Sequence, residues 1–229
     1  MAQHADGALP GQSSLTYGEQ VNTDLLDFIS SCAGVVLDIG CGKGAWANEL
    51  RRRGASRCVG VEPQPSAAAA ARRFYDEVWQ GTVEDCPLER WRGCDLIVCA
   101  DVLEHLYDPW STVRRFRDAC HDGTRLVISV PNLRYLPMML RLGLRGEFDY
   151  CADGGYFDVG HLRWFTRQSL DRMLAKAGWR VTQSGGRPGR RLGSFAQTQI
   201  GRRLWPDLLR YQIFVMAMPT LKGMARGLP

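Results

Sequence analysis

The sequence predicts an α/β fold built on a doubly wound, mostly parallel sheet, and three observations carry that expectation. Residues 35–39 read Val-Val-Leu-Asp-Ile, an apolar and mostly β-branched run of the kind that forms a buried parallel strand. Gly40, Gly42 and Gly44 follow at alternate positions and lead into a helical pattern that stops at Gly54, which gives strand, glycine turn, helix. Downstream, strand-like and helix-like stretches alternate five times before the rhythm breaks.

A helix is expected over 22–31, with Leu25, Leu26, Phe28 and Ile29 apolar, behind a polar start at 1–14 expected to be disordered. Such a leader, 1–31, is placed to cover a cleft, where Tyr17 would sit; a helix that only packs on the sheet fits equally well. Strand two, 58–61, ends at Glu62. Pro63 and Pro65 turn the chain into an alanine-rich helix over 66–75. Strand three is 78–80, strand four 95–99 and strand five 126–130, with a helix near 111–120 between the last two. Residues 133–165 break the alternation with an apolar, arginine-bearing stretch over 133–144, then a glycine- and aromatic-rich segment with Phe148, Tyr150, Tyr156, Phe157, His161, Trp164 and Phe165. That aromatic content argues against disorder, so 133–165 is expected to be a substrate lid inserted after strand five, or an aromatic plug over the sheet edge. Thr166 should cap a helix ending at Gly178. Strand six is expected over 179–183, a loop with Arg187, Arg190 and Arg191 over 185–193, a helix bearing Arg202 and Arg203, and a last buried strand over 211–218.

With 229 residues, no internal repeat and no composition shift, one domain over 1–229 is expected. No apolar run is long enough to span a bilayer, and the start has no basic region followed by an apolar one, so no signal peptide is expected. None of the eight cysteines forms a Cys-x-x-Cys pair, which speaks against zinc and for a reduced, cytoplasmic protein. The formal net charge is +5, and 26 of the 29 basic residues are arginine because lysine occurs only at 43, 176 and 222. No basic stripe is interleaved with aromatics, so nucleic acid is not the favoured partner.

The cofactor reading turns on Asp38. Gly40-x-Gly42-x-x-Ala45 satisfies a dinucleotide fingerprint, and Glu62 lies where such folds bind two ribose hydroxyls. An acid two residues before the first glycine, however, suits a ligand with a cationic amino group and would repel a pyrophosphate. Residues 37–44, Leu-Asp-Ile-Gly-Cys-Gly-Lys-Gly, resemble motif I of the class I S-adenosylmethionine-dependent methyltransferases. The resemblance implies a Rossmann-like sheet of seven strands, the last antiparallel, flanked by helices. It implies S-adenosylmethionine as cofactor and S-adenosylhomocysteine as product. It assigns Asp38 to the methionyl amino group and Gly40, Cys41, Gly42 and Gly44 to the methionyl and ribose parts. Glu62 and Pro63 follow at the ribose, Thr82, Val83 and Glu84 border the adenine, and Ala100 and Asp101 line the sulfonium end.

For catalysis, Asp101, Glu104 and His105 stand at i, i+3 and i+4 and would share one face if the segment is helical. A hydroxyl acceptor must lose a proton, which calls for a base such as His105 or His161, or for a metal that lowers the hydroxyl pKa. The segments 82–85 and 101–106 resemble the ubiquinone-biosynthesis O-methyltransferases, and some relatives hold a divalent metal with acid-x-x-Glu-His. Asp101, Glu104 and His105 are therefore the alternative metal ligands, with His161 able to add one; no metal is the favoured reading. Bracing of the loop by Glu104 and His105 is the remaining possibility. Residues 160–166, Gly-His-Leu-Arg-Trp-Phe-Thr, resemble segments of methyltransferases associated with bacterial glycan and O-antigen biosynthesis. The expected activity is O-methylation of a small-molecule, sugar, glycan or lipid-linked hydroxyl, with a phenol or quinone precursor as the alternative. Monomer and homodimer stay open. An NAD-dependent oxidoreductase or sugar epimerase would share the glycine turn but lacks a Tyr-x-x-x-Lys pair here; a non-catalytic S-adenosylmethionine-binding partner protein is the other rival.

Overall fold

A computed structural model describes residues 21–151, 156–189 and 207–221. The expectations for 1–14, Tyr17, Arg190, Arg191 and the helix with Arg202 and Arg203 lie outside the described residues.

Seven strands form one sheet: β1 (Gly34–Ile39), β2 (Ala55–Glu62), β3 (Glu77–Gln80), β4 (Leu96–Ala100), β5 (Arg125–Pro131), β6 (Trp179–Pro188) and β7 (Arg210–Pro219), in the order β3-β2-β1-β4-β5-β7-β6. The first five run parallel to one another, and β7 is antiparallel to both β5 and β6. The sheet is thus mostly parallel with its last strand reversed, as the resemblance implied. The order switches direction between β1 and β4, and ligands of open α/β sheets bind at the strand ends beside such a switch.

Strand alternation sends Val36, Leu96, Val98 and Val127 to one face and Leu37, Ile39, Ile97, Cys99, Leu126 and Ile128 to the other. On the first face lie helices α1 (Thr23–Ile29), through Leu25, Leu26 and Ile29, and α2 (Ala45–Arg52), through Ala47 and Leu50. The second face is covered by Val113 and Phe116 of α4 (Pro109–Ala119) and by Leu170, Met173 and Leu174 of α6 (Arg167–Lys176). Local signals fix the helix starts. Asn22 caps α1 by accepting from the Leu25 N–H at 3.1 Å, Asp108 caps α4 at Ser111 with Pro109 in the first turn, and Thr166 and Ser169 form a reciprocal cap on α6.

Three elements differ from expectation. The alanine-rich helix α3 spans only Pro65–Ala71; the chain then unwinds, and Tyr75 leaves the helix so that its ring turns back under β1. β6 runs through Gly185, Gly186, Arg187 and Pro188, where a loop was expected. Gly185 lets Phe28 of α1 lie over the strand, since a Cβ there would sit 3.1 Å from that ring. The segment after β4 is not an α-helix: Asp101 adopts a left-handed conformation, φ 55°, and a 3-10 turn covers Leu103–His105. After β5 comes helix α5 (Leu136–Arg145), and residues 156–166 return across the sheet end, tied to β5 by the Leu133 N–H on the Phe165 carbonyl at 2.8 Å.

Candidate active site

A cleft of about 560 Å³ opens at the ends of β1 and β4. Asp38, Gly40, Cys41 and Gly42 form one wall, Pro63 and Thr82–Val83–Glu84 a second, Ala100 and Asp101 a third, and His105 stands at the mouth. Twelve residues were assigned to the cofactor, and of these the lining omits only Gly44 and Glu62. Gly40 and Gly42 have φ of 74° and 55°, and a Cβ on Gly40 would sit 2.6 Å from the Val102 side chain. Gly44 faces away from the cleft: its φ is 99°, and its missing Cβ leaves room for Phe74 after α3. Glu62, fully buried, accepts from the Gly42 N–H and the Gln64 N–H at 2.9 Å each, so its carboxylate fastens the glycine turn to the end of β2.

Asp38 is buried, and the Tyr75 hydroxyl donates to its carboxyl. Burial raises the Asp38 pKa to about 7; the Tyr75 hydrogen bond pulls the other way, and the Glu62 charge adds to the rise. Tyr75 escaped the sequence reading because it is 37 residues away and was assigned to a helix. Two further supports carried no local signal. Gly60 on β2 is small because a Cβ there would meet Cys41 Sγ at 2.5 Å. Arg115 on α4 donates to the Val83, Glu84 and Cys86 carbonyls at 2.7, 2.8 and 2.6 Å, which holds the 82–86 wall from behind. The Thr82 hydroxyl is spent on Asp85 at 2.8 Å. Burial pushes the thiols of Cys41 and Cys99 up, so neither is a nucleophile.

Beyond the sulfonium end, the residues brought together are Glu104, His105 and His161, whose ligating atoms lie within 4.8 Å of one another. Asp101 does not join them as the helical spacing suggested. The left-handed backbone turns its carboxylate toward the Ser129 hydroxyl, 2.9 Å away, and the Gln212 amide. The strap 160–165 closes this group: the Glu104 carbonyl accepts from the Leu162 and Arg163 N–H groups at 2.7 and 2.9 Å. A Cβ on Gly160 would press on the His105 ring at 3.1 Å. His105 Nδ1 lies 3.0 Å from the Gly160 carbonyl and His161 Nδ1 3.2 Å from the Tyr156 carbonyl. A carbonyl only accepts, so each Nδ1 donates its proton there, and Nε2 is the nitrogen of each ring free to exchange one. The two rings stand edge to face at 4.9 Å. Burial and the neighbouring His105 lower the His161 pKa, which keeps it neutral. Glu104 is 1% exposed, and neither of its carboxyl oxygens has a hydrogen-bond partner among the described residues. Burial, and then the Asp101 charge, raise its pKa well above the carboxylate range. Behind the strap, Phe148, Tyr156, Phe157 and Trp164 pack together, Phe157 edge to face on Phe148 and Tyr156, and Trp164 tilted against Tyr156 and Phe157.

A mostly parallel seven-stranded sheet with a reversed β7 and a glycine-turn cleft at its switch point is the frame of the S-adenosylmethionine-dependent methyltransferases. Residues 17–184 match the family described as a methyltransferase domain, and the chain belongs to that family. It is 30% identical over 180 residues to the ubiquinone biosynthesis O-methyltransferase of Aeromonas salmonicida, a match covering 73% of this chain and 74% of that protein. The protein of the same name from Vibrio vulnificus is 31% identical over 123 residues, 49% of this chain and about half, 52%, of its own length. An S-adenosylmethionine-dependent methyltransferase structure from Clostridium acetobutylicum superposes with a TM-score of 0.63 at 11% identity, over 89% of this chain and 94% of that one, a likeness of fold. The cofactor is accordingly S-adenosylmethionine.

Proposed function

We propose that the enzyme methylates a hydroxyl oxygen of a small-molecule, sugar or glycan acceptor, and that His161 and His105 receive the hydroxyl proton. The observation carrying this reading is the pair of imidazoles beside the cleft, each with Nδ1 fixed on a backbone carbonyl, so that Nε2 is the nitrogen available for proton transfer. S-adenosylmethionine supplies an electrophilic methyl group and departs as a neutral thioether. The oxygen–methyl bond forms as the sulfur–methyl bond breaks, and the hydroxyl proton passes to an imidazole Nε2. The leaving group needs no proton, so the remaining work is alignment, which supplies about 7–11 kcal/mol in well-oriented systems. Asp38 holds the methionyl amino group, Glu62 and Pro63 border the ribose, and Thr82, Val83 and Glu84 border the adenine. The relatives named ubiquinone biosynthesis O-methyltransferase lend support to a phenol among these acceptors. Unbridged thiols, six of them buried, and the lack of any described helix long and apolar enough to cross a membrane fit a cytoplasmic protein.

A second reading rests on Glu104. A buried carboxyl group whose two oxygens have no partner among the described residues, beside two imidazoles, is a donor set that fits a divalent cation, which would lower the hydroxyl pKa. Methyl transfer from labelled S-adenosylmethionine to a panel of catechols and sugars, run with magnesium and with a chelator, tests both. Transfer to a hydroxyl, lost in the His105→Ala and His161→Ala variants, supports the proposal. Transfer only to nitrogen or carbon acceptors overturns it, and chelator sensitivity absent from Glu104→Gln selects the metal reading.

A further inference from the structure

The strap 160–165 has two sides. Gly160 and Leu162 line the cofactor cleft, whereas Arg163, Trp164 and Phe165 line a separate cavity of about 230 Å³. Its other walls are Trp110 of α4 and Ser169, Arg172, Met173 and Lys176 of α6, so three cations and, among the described residues, no carboxylate line it. Arg163 is fixed there: its guanidinium donates to the Leu162 carbonyl at 2.8 Å and lies over the Tyr107 and Trp110 rings at 5.2 and 6.0 Å. Arg172 and Lys176 sit one helical turn apart and are exposed, with no ion pair or hydrogen bond among the described residues. Arg167 on the same helix, by contrast, is held by both oxygens of Asp171.

Converging like charges repel, and this cluster lacks the compensation that the other arginines of α6 and α2 find in Asp171, Glu49 and Asp76. Guanidinium groups recognise phosphate oxygens in pairs, and a flat ring fits against indole faces. The volume suits one phosphate and one ring. We propose that this cavity binds a phosphate carried on a single aromatic or heterocyclic ring, with Arg163 and Arg172 on the phosphate, Lys176 at its rim and Trp110 and Trp164 on the ring. The site is independent of which atom the enzyme methylates. Leu162 on one side and Arg163 on the other make the strap common to both cavities, so occupancy here bears on the position of His161.

The test is calorimetry on the full chain saturated with S-adenosylhomocysteine, with phenyl phosphate as probe and inorganic phosphate and benzyl alcohol as partial probes. The expected result is saturable one-to-one binding of phenyl phosphate, tighter than either partial probe, and weaker by roughly tenfold or more in the Arg172→Ala/Lys176→Ala double variant. S-adenosylhomocysteine affinity should be unchanged in that variant, which shows the fold and cofactor cleft intact. Equal phenyl phosphate affinity in both proteins, or no saturable binding, overturns the proposal. So does a salt-sensitive RNA oligonucleotide that binds where phenyl phosphate does not, since that marks an open polyanion surface instead.

Discussion

The Tyr75 hydroxyl donates a hydrogen bond to the Asp38 carboxyl inside the wall of the cofactor cleft. Both groups are buried, and the Asp38 pKa is raised to about 7, so the carboxyl is half-protonated at neutrality before any ligand arrives. A cationic amino group is attracted only by the ionised form. S-adenosylhomocysteine affinity should therefore rise with pH up to about 7 and then level off. Binding below that pH should release a proton, seen calorimetrically as heats that follow the buffer's ionisation enthalpy. Tyr75→Phe removes the contact that opposes the rise, so the plateau should move to higher pH; an unmoved plateau would disprove the coupling. Stability should respond in the same window. The unfolded carboxyl ionises near 3.9, so between about 4 and about 7 only the unfolded state has lost this proton. Asp38 therefore makes stability fall as pH rises through that range, and its contribution is flat above it.

Glu62 does two jobs at one carboxylate. It accepts from Gly42 and Gln64, and it is the residue proposed at the ribose. Glu62→Ala should weaken S-adenosylhomocysteine binding by about 1.5–3 kcal/mol through lost charge-assisted hydrogen bonds. Unchanged affinity by calorimetry would remove Glu62 from the site.

Gly60 carries a steric requirement invisible in its own strand. Gly60→Ala places a methyl group 2.5 Å from Cys41 Sγ, on the turn that lines the cleft. Overpacking should cost about 1–3 kcal/mol, read as a lower melting temperature, with weaker cofactor binding as well. Cys41→Ala in the same chain should restore part of both.

Arg115 closes the 82–86 wall through three carbonyls. Arg115→Ala leaves them without that partner and should raise the S-adenosylhomocysteine Kd roughly tenfold, with the loss concentrated on the adenine end. Equal losses for an analogue with an altered base would show instead that the substitution only loosens the fold.

His161 is held neutral by burial, so it stays a base at pH values where an ordinary imidazole is protonated. Turnover should persist to lower pH than an unperturbed histidine allows. His161→Ala and His105→Ala should lower kcat far more than they change cofactor affinity, and normal turnover in both would exclude them as the base.

The sheet, the glycine turn and the Thr166 cap were legible because each is written in adjacent residues. An apolar run followed by glycines, or Thr166 at the head of a helical run, needs nothing from the rest of the chain. The site's supports were not legible for the opposite reason. Tyr75 meets Asp38 across 37 residues, Arg115 meets Val83 across 32 and Gln212 meets Asp101 across 111, and no periodicity encodes such pairings. Asp101 failed a local argument. The i, i+3, i+4 spacing brings side chains together only on a continuous helix, and the left-handed turn at that residue sends its carboxylate toward β5 and β7. His161, expected as a base or an added ligand, completes the group with Glu104 and His105 from 56 residues away, a distance that the resemblance and not any local pattern bridged.

The most direct test of the central claim, a cleft built for a sulfonium cofactor with a cationic amino group, is calorimetric titration with S-adenosylhomocysteine set beside the same titration with NAD. Micromolar one-to-one binding of S-adenosylhomocysteine, weakened in Asp38→Asn, with no heat from NAD, is the predicted result. Saturable binding of NAD that survives Asp38→Asn would contradict the account from Asp38 onward.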